Sequence, residues 1–401
     1  MFTLLKNART LSGAGPLKGV LQDVLLAGKT IAAIGERLEY GNIPVRVVDL
    51  EGRLLSPGYV DGHVHFIGAA GDEGYASKTP EIFMSHFMRG GVTTAVGCLG
   101  FGVGCESVEQ LYVKAQTLRS EGLSSYIYTG SFKVPPPSIT GSAASDIAML
   151  PWVVGVKVAI ADGFSWRPTA DEFARIACTA WMAGLQSGKS GVTHTHVGRS
   201  KTDNPFDFLF ETSQKNDIPL EQFVPTHCNW NDDLVKSAPE YVKKGGYVDY
   251  STILDTARGS LTSIAAHKAV MTALDSGAPV DRLSLSTDGN VGMPIRGKDG
   301  TQSGLYLERV MSLHHEVKAL ITKGMGVGKA VSLATVNPAR RIGIYPQKGV
   351  IRVGSDADLI VYDENFEISS VFAGGKVGFE ANQPRLFSLF EKDIAAENCK
   401  S

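Results

Sequence analysis

Eight short apolar runs of β type recur through the middle of the chain, and no other feature limits the possible folds so strongly. In order they are "YVDGHVHF", "VTTAVGCL", "SSYIYTG", "VVGVKVAI", "GVTHTHVG", "QFVPTHC", "YVDYSTI" and "RLSLSTDG". Amphipathic segments with helix punctuation separate most of them. In "TPEIFMSHFMRGG", Thr79 is placed to cap a helix, Pro80 suits its first position, and Gly90-Gly91 ends it. Strands alternating with helices in this way predict an α/β fold, a (β/α)8 barrel over residues 57–345. A doubly wound sheet is the rival, but no G-x-G-x-x-G follows the first strand. The two ends of the chain read differently, as short strands and turns: "FTLLKNARTL", "DVLLAGKTIAAIG" and "VRVVDLEGRLLSPG" at the start, "GVIRVGSDADLIVYDENFEISSVFAGGKVGFE" near the finish. Residues 1–56 and 346–401 are therefore expected to form one small β-domain, split in sequence and joined in space.

Composition narrows the function classes. A chain of 401 residues with 43% apolar residues, 20% charged residues and a formal charge of −2 reads as an ordinary soluble protein with an ample core. There is no basic excess for nucleic acid and no charge block. No apolar stretch approaches the ~20 residues of a membrane helix, and Lys6 and Arg9 interrupt what would be a signal-peptide core. Five scattered cysteines without C-x-x-C spacing suggest reduced thiols and a cytoplasmic location.

Barrel enzymes carry their chemistry at the C-terminal ends of the strands. In "SPGYVDGHVHFIG", Asp61, His63 and His65 are spaced to share one face of the first strand. Lys157 ends the fourth strand, His194 and His196 the fifth, His227 the sixth and Asp288 the eighth. A single H-x-H is weak evidence, but five of nine histidines falling at strand ends is not readily a matter of chance. Imidazoles and carboxylates are ordinary ligands for a zinc-like ion. Four histidines and an aspartate exceed what one open catalytic ion needs, so two divalent ions about 3.5–4 Å apart fit better. His196 lies nearer the strand mouth than His194 and is the expected ligand, leaving His194 packed or supporting. Lys157 is costly in an apolar strand if charged. It is either a salt-bridged structural residue or a neutral amine that takes up carbon dioxide to give a bridging carbamate. Cys228 faces away from the mouth, and Ser131 and Lys133 of the third strand's loop supply no ligand.

Taken together, "SPGYVDGHVH", "GVK", "THVG", "PTHCN", "STDGN" and "ATVNPARRIGIYPQKGVIRVGSDADLIVYD" resemble the metal-dependent amidohydrolase superfamily, and more closely its bacterial isoaspartyl (beta-aspartyl) dipeptidases. The resemblance runs over essentially the whole chain. It implies a TIM-like barrel with a small β-sandwich built from both termini, a homo-oligomeric assembly, and two zinc ions. His63, His65, a carboxylated Lys157 (N6-carboxylysine), His196, His227 and Asp288 would hold these ions, with Asp288 also acting as general base toward the attacking water and returning the proton to the leaving amine.

The same resemblance exposes departures. A carbonyl-polarising tyrosine of the dipeptidases is matched here by Phe132. Two carboxylate-binding arginines are matched by Phe164 and Trp230, and a serine by Gly292. A glutamate that meets the free amine is matched by Asp72, with Glu73 adjacent. Each lost charge partner costs about 2–5 kcal/mol, and a lost carbonyl donor about 3 kcal/mol, unless Arg167, Arg258 or Arg296 compensates. Phe132, Phe164, Trp230 and Met293 could instead line an apolar pocket. The expectation is a hydrolase of C–N amide bonds with altered preference, acting on a dipeptide, an N-acyl amino acid, a cyclic amide or another small amide. A non-catalytic scaffold on the same barrel is the reading from another class, and the complete ligand set weighs against it.

Overall fold

The computed structural model describes residues 2–11, 20–69, 71, 74–102, 104–163, 165–198, 204–253, 262–296 and 301–393. The N-terminal segment contributes β1 (Phe2–Thr10), β2 (Gln22–Ala27), β3 (Thr30–Gly35), β4 (Val45–Asp49) and β5 (Leu54–Pro57). Eight strands follow: β6 (Tyr59–Val64), β7 (Val92–Gly97), β8 (Ser124–Gly130), β9 (Val153–Ala159), β10 (Val192–His196), β11 (Phe223–Thr226), β12 (Val248–Ser251) and β13 (Leu283–Ser286). After a hairpin of β14 (Gly292–Arg296) and β15 (Gln302–Leu307) and a helical stretch, the chain ends in β16 (Leu359–Tyr362), β17 (Ile368–Ala373), β18 (Lys376–Glu380) and β19 (Gln383–Pro384).

Strands β6 to β11 make one parallel sheet in strict chain order, and β12 pairs β13 in parallel. This is a mixed α/β fold with a parallel half-barrel. The two sheets meet at both margins. Cys228 N donates to Asp249 O (3.2 Å) beyond β11, and His65 N donates to Gly289 O (3.0 Å) beyond β6. Almost every residue of these strands is buried on both faces, which is why they read as near-continuous apolar runs.

Helices cover the outer face. Two of them, Val108–Glu121 and Ala170–Ser187, begin with capping boxes, Ser107 with Gln110 and Thr169 with Glu172. Their apolar stripes (Leu111, Ala115 and Leu118; Phe173, Ala177 and Ala180) enter one continuous core with the strands. The first helix differs from expectation. It runs from Met84 to Arg89 with Phe83 at its N-cap, because the Thr79 hydroxyl is engaged elsewhere: it accepts from Ala69 N (2.8 Å) and donates to Asn290 O (2.6 Å). Two long-range bonds outweigh the local capping preference.

Strands from both termini share a nine-stranded sheet, ordered β19-β18-β17-β16-β5-β1-β2-β3 with β4 on β1. Leu5, Val24, Leu26, Ile31, Leu55, Leu359 and Phe372 form a core on it. Lys348 ties it to the parallel strands: its ammonium donates to Asp358 (2.5 Å) and to Ser124 at the start of β8 (2.5 Å). Among the described residues, no helix is long and apolar enough to cross a membrane, and Cys98, Cys105, Cys178 and Cys228 are free thiols.

Candidate metal centre

The ends of β6, β9, β10, β11 and β13 converge on one buried cluster. Asp288 lies at its middle. One of its oxygens stands 3.0 Å from His65 Nε2 and 3.2 Å from His63 Nε2, and the other 3.8 Å from His227 Nδ1. Lys157 Nζ is 3.5 Å from His63 Nε2. The His196 ring sits 4.7 Å from the His227 ring, centre to centre. Backbone conformation helps to aim these groups. His227 (φ 66°) and Asp288 (φ 56°) follow the ends of their strands in the left-handed region, a strain of about 1–3 kcal/mol for each non-glycine residue. Asp288 N donates to His63 O (3.0 Å), fixing one strand end to the other.

Partners of the ring nitrogens decide which atoms face the centre. His63 Nδ1 bonds His194 Nε2 (3.0 Å), and the His194 ring is stacked on Tyr128 at 4.6 Å. His227 Nδ1 bonds Ser251 Oγ (2.6 Å). His196 Nε2 donates to Asp162 Oδ2 (2.6 Å). The His63, His196 and His227 rings thus each keep one nitrogen on the protein and leave the other for a cation, the usual arrangement around metal-bound histidines. Asp61 does not join the cluster. Its carboxylate accepts from His63 N (3.2 Å) and from Thr287 N (3.0 Å) and Oγ1 (2.5 Å), bracing β6 against the end of β13.

Electrostatics agree with a cation site. Burial first, then Lys157 and the neighbouring rings, hold His63 and His194 well below the ordinary imidazole pKa, and burial and the same neighbours do so for His227. These rings are neutral and able to donate lone pairs. Burial likewise lowers the pKa of the Lys157 amine. The donor set, neutral imidazoles with one carboxylate, fits a divalent ion of zinc type. His63, His227 and Asp288 bring ligand atoms within 4.8 Å of one another.

The expected substrate-reading positions are partly placed. The Phe132 ring is 4.6 Å from the His196 ring, and Trp230 is 5.6 Å from His227 and 6.2 Å from His196. Phe101, in the loop after β7, adds a third ring 6.2 Å from Phe132. Gly292 and Met293 open the β14 hairpin, where Gly292 faces Thr79 and Ser77. Arg167 is exposed, and its Nε donates to Asp162 O (3.3 Å). Asp72, Glu73, Phe164, Arg258 and the Arg296 side chain lie outside the described residues. Sequence reasoning missed Asp162, Ser251 and Phe101. Asp162 alone left a trace, as an acidic residue just past the Lys157 strand in "VAIADG".

Known proteins bear on this geometry. The profile of the amidohydrolase family matches residues 234–378. A dihydroorotase of Halalkalibacterium halodurans is 35% identical over 111 residues, 28% of this chain and 24% of that protein. A D-hydantoinase of Streptomyces coelicolor is 39% identical over 61 residues, 15% of this chain and 13% of that protein. The chain thus spans about a quarter or less of these curated relatives. Whole-chain likeness comes from a solved structure, the beta-aspartyl dipeptidase of Fervidobacterium islandicum in complex with beta-Asp-Leu dipeptide. It is 34% identical, with 96% of this chain and 99% of that one covered and a TM-score of 0.85. A dihydropyrimidinase of Brevibacillus agri, 16% identical with 97% of each chain covered, shares the fold at a TM-score of 0.68.

Proposed function

The chain belongs to the amidohydrolase family of hydrolases acting on C–N amide bonds, and from that premise we propose that it is a binuclear zinc amidohydrolase related to the beta-aspartyl dipeptidases but with a more apolar substrate preference. The observation that carries this reading is the gathering of His63, His65, Lys157, His196, His227 and Asp288 beneath the rings of Phe132 and Trp230. Bound divalent cations would polarise the amide carbonyl and lower the pKa of water.

The rest of the reaction falls to side chains. Asp288, partly open where its neighbours are closed, takes the proton from the attacking water and delivers it to the departing amine as the C–N bond breaks. Lys157 is proposed to add to carbon dioxide through its neutral amine: an N–C bond forms, one proton is released, and an anionic carbamate results. Asp162 and Ser251 hold the His196 and His227 rings in place. Phe132 offers no hydroxyl to the substrate carbonyl, and Trp230 offers no positive charge to a carboxylate. This wall favours an apolar or aromatic acyl or amine portion over a dicarboxylate.

In this reading β6 to β13 close as a (β/α)8 barrel over residues 57–345. Residues 1–56 with 346–401 form the small β-sandwich, and the protein works in the cytoplasm as a homo-oligomer. The local identity to dihydroorotase and D-hydantoinase makes a cyclic amide the second reading. Turnover of three substrate sets separates them: β-aspartyl dipeptides, N-acyl and aryl amides lacking an α-carboxylate, and hydantoin-type rings. The proposal expects the second set to lead. A strong preference for the dipeptides refutes the interpretation of Trp230 and Phe132, and a preference for the rings moves the assignment to cyclic amides.

A further inference from the structure

We propose that Cys98 is a thiolate ligand of the metal centre, binding the same cation as His63 and His65. The inference rests on the metal-dependent reading above and extends it to a residue outside the expected ligand set. Cys98 follows β7 directly, and its N donates to Val64 O (3.0 Å), which sets it beside the H-x-H segment. Its sulfur and one nitrogen each of His63 and His65 all lie within 4.8 Å of one another, and all three residues are buried. His63, His227 and Asp288 meet the same bound. Zinc–sulfur and zinc–nitrogen bonds of about 2.3 and 2.0–2.1 Å place tetrahedral donors roughly 3.5 Å apart, so side-chain shifts of about 1 Å close the site.

A second observation points the same way. His65 is buried, and its Nδ1 has no hydrogen-bond partner among the described residues. That edge of the ring faces the loop carrying Cys98: a Cβ built on Gly100 would lie 3.5 Å from His65 Cε1 and 3.9 Å from Nδ1. Cys228, by contrast, already donates its thiol to Pro225 O (3.3 Å). When the cation binds, the Cys98 S–H bond gives way to a sulfur–metal bond and the proton leaves to solvent. A soft thiolate favours zinc over magnesium or manganese at this position.

X-ray absorption at the zinc edge, on full-length protein loaded with zinc, tests the idea without reference to turnover. The expected spectrum needs a sulfur scatterer at about 2.3 Å, one for each pair of ions. It persists in Cys228→Ser and disappears in Cys98→Ser, where the site binds zinc at least about tenfold more weakly. Cobalt-loaded protein should likewise show a thiolate charge-transfer band that Cys98→Ser abolishes. A loaded protein whose spectrum needs only nitrogen and oxygen overturns the Cys98 assignment and leaves the metalloenzyme reading standing, as does a sulfur signal that survives Cys98→Ser. Failure to take up any metal overturns both. If Cys98→Ser does not fold, Cys98→Ala serves in its place, and a loaded, unsubstituted protein without a sulfur scatterer still overturns the assignment.

Discussion

Removing the Asp162 carboxylate should loosen one metal ion without unfolding the protein. Asp162 and His196 are both buried, and the 2.6 Å bond between Asp162 Oδ2 and His196 Nε2 is the length of a strong charge-assisted contact. The bond fixes the proton on Nε2 and leaves Nδ1 bare. Loss of such a partner behind a ligating histidine costs about 10–100-fold in metal affinity, or about 1.4–2.8 kcal/mol. Asp162→Asn keeps an acceptor but loses the charge, so it should fall near the lower figure, and Asp162→Ala near the upper. The assay is competitive zinc binding against a chromophoric chelator, read as two successive affinities. The weaker of the two ions should drop by these factors while the other changes less than threefold or so. Two affinities that remain at the unsubstituted values in Asp162→Ala would mean that His196 needs no orienting partner.

Three further outcomes are expected. Lys157→Ala should abolish amide hydrolysis, with partial return on addition of a small carboxylic acid; metals retained with no return contradict the carbamate. Gly155→Ala places a Cβ 2.3 Å from Val192 O, forcing β9 away from β10 at a cost of about 1–3 kcal/mol. Its melting temperature should fall and zinc affinity with it, since Lys157 and His196 lie on the two strands being parted; an unchanged melting temperature speaks against the close packing. Burial, then Arg309 and Arg89, lower the pKa of His86 to about 4. The unfolded chain therefore binds a proton below the ordinary value of 6.5 while the folded chain does not, and stability is lost as pH falls from 6.5 to 4, by at most about 3 kcal/mol. His86→Gln should gain on the unsubstituted protein in melting temperature across that window, and a constant difference between the two contradicts the shift.

All eight central strands were legible in the sequence, because parallel strands buried on both faces leave short apolar runs rich in β-branched residues, too short for helices. Once the strands are placed, His63, Lys157, His196 and His227 fall on them or just past their ends by counting. What could not be read was held by contacts between distant segments. Thr79 carries a cap-like pattern, yet its hydroxyl serves Ala69 and Asn290, so the helix begins at Met84. Asp61 has the spacing of a third ligand, but a threonine 226 positions further on claims it. The left-handed turns at His227 and Asp288, and the pairing of Asp162 with His196, follow from tertiary geometry and leave no periodic mark. Cys98 looked like one of several scattered thiols until β7 was set against β6.

Side chains from five strand ends are proposed to form one site for two divalent cations. Titration of metal-stripped protein with zinc, followed by calorimetry and by elemental analysis after gel filtration, addresses it directly. Two ions per chain are expected, with at least one lost in His227→Ala; a folded, metal-stripped protein that takes up no zinc has no such site.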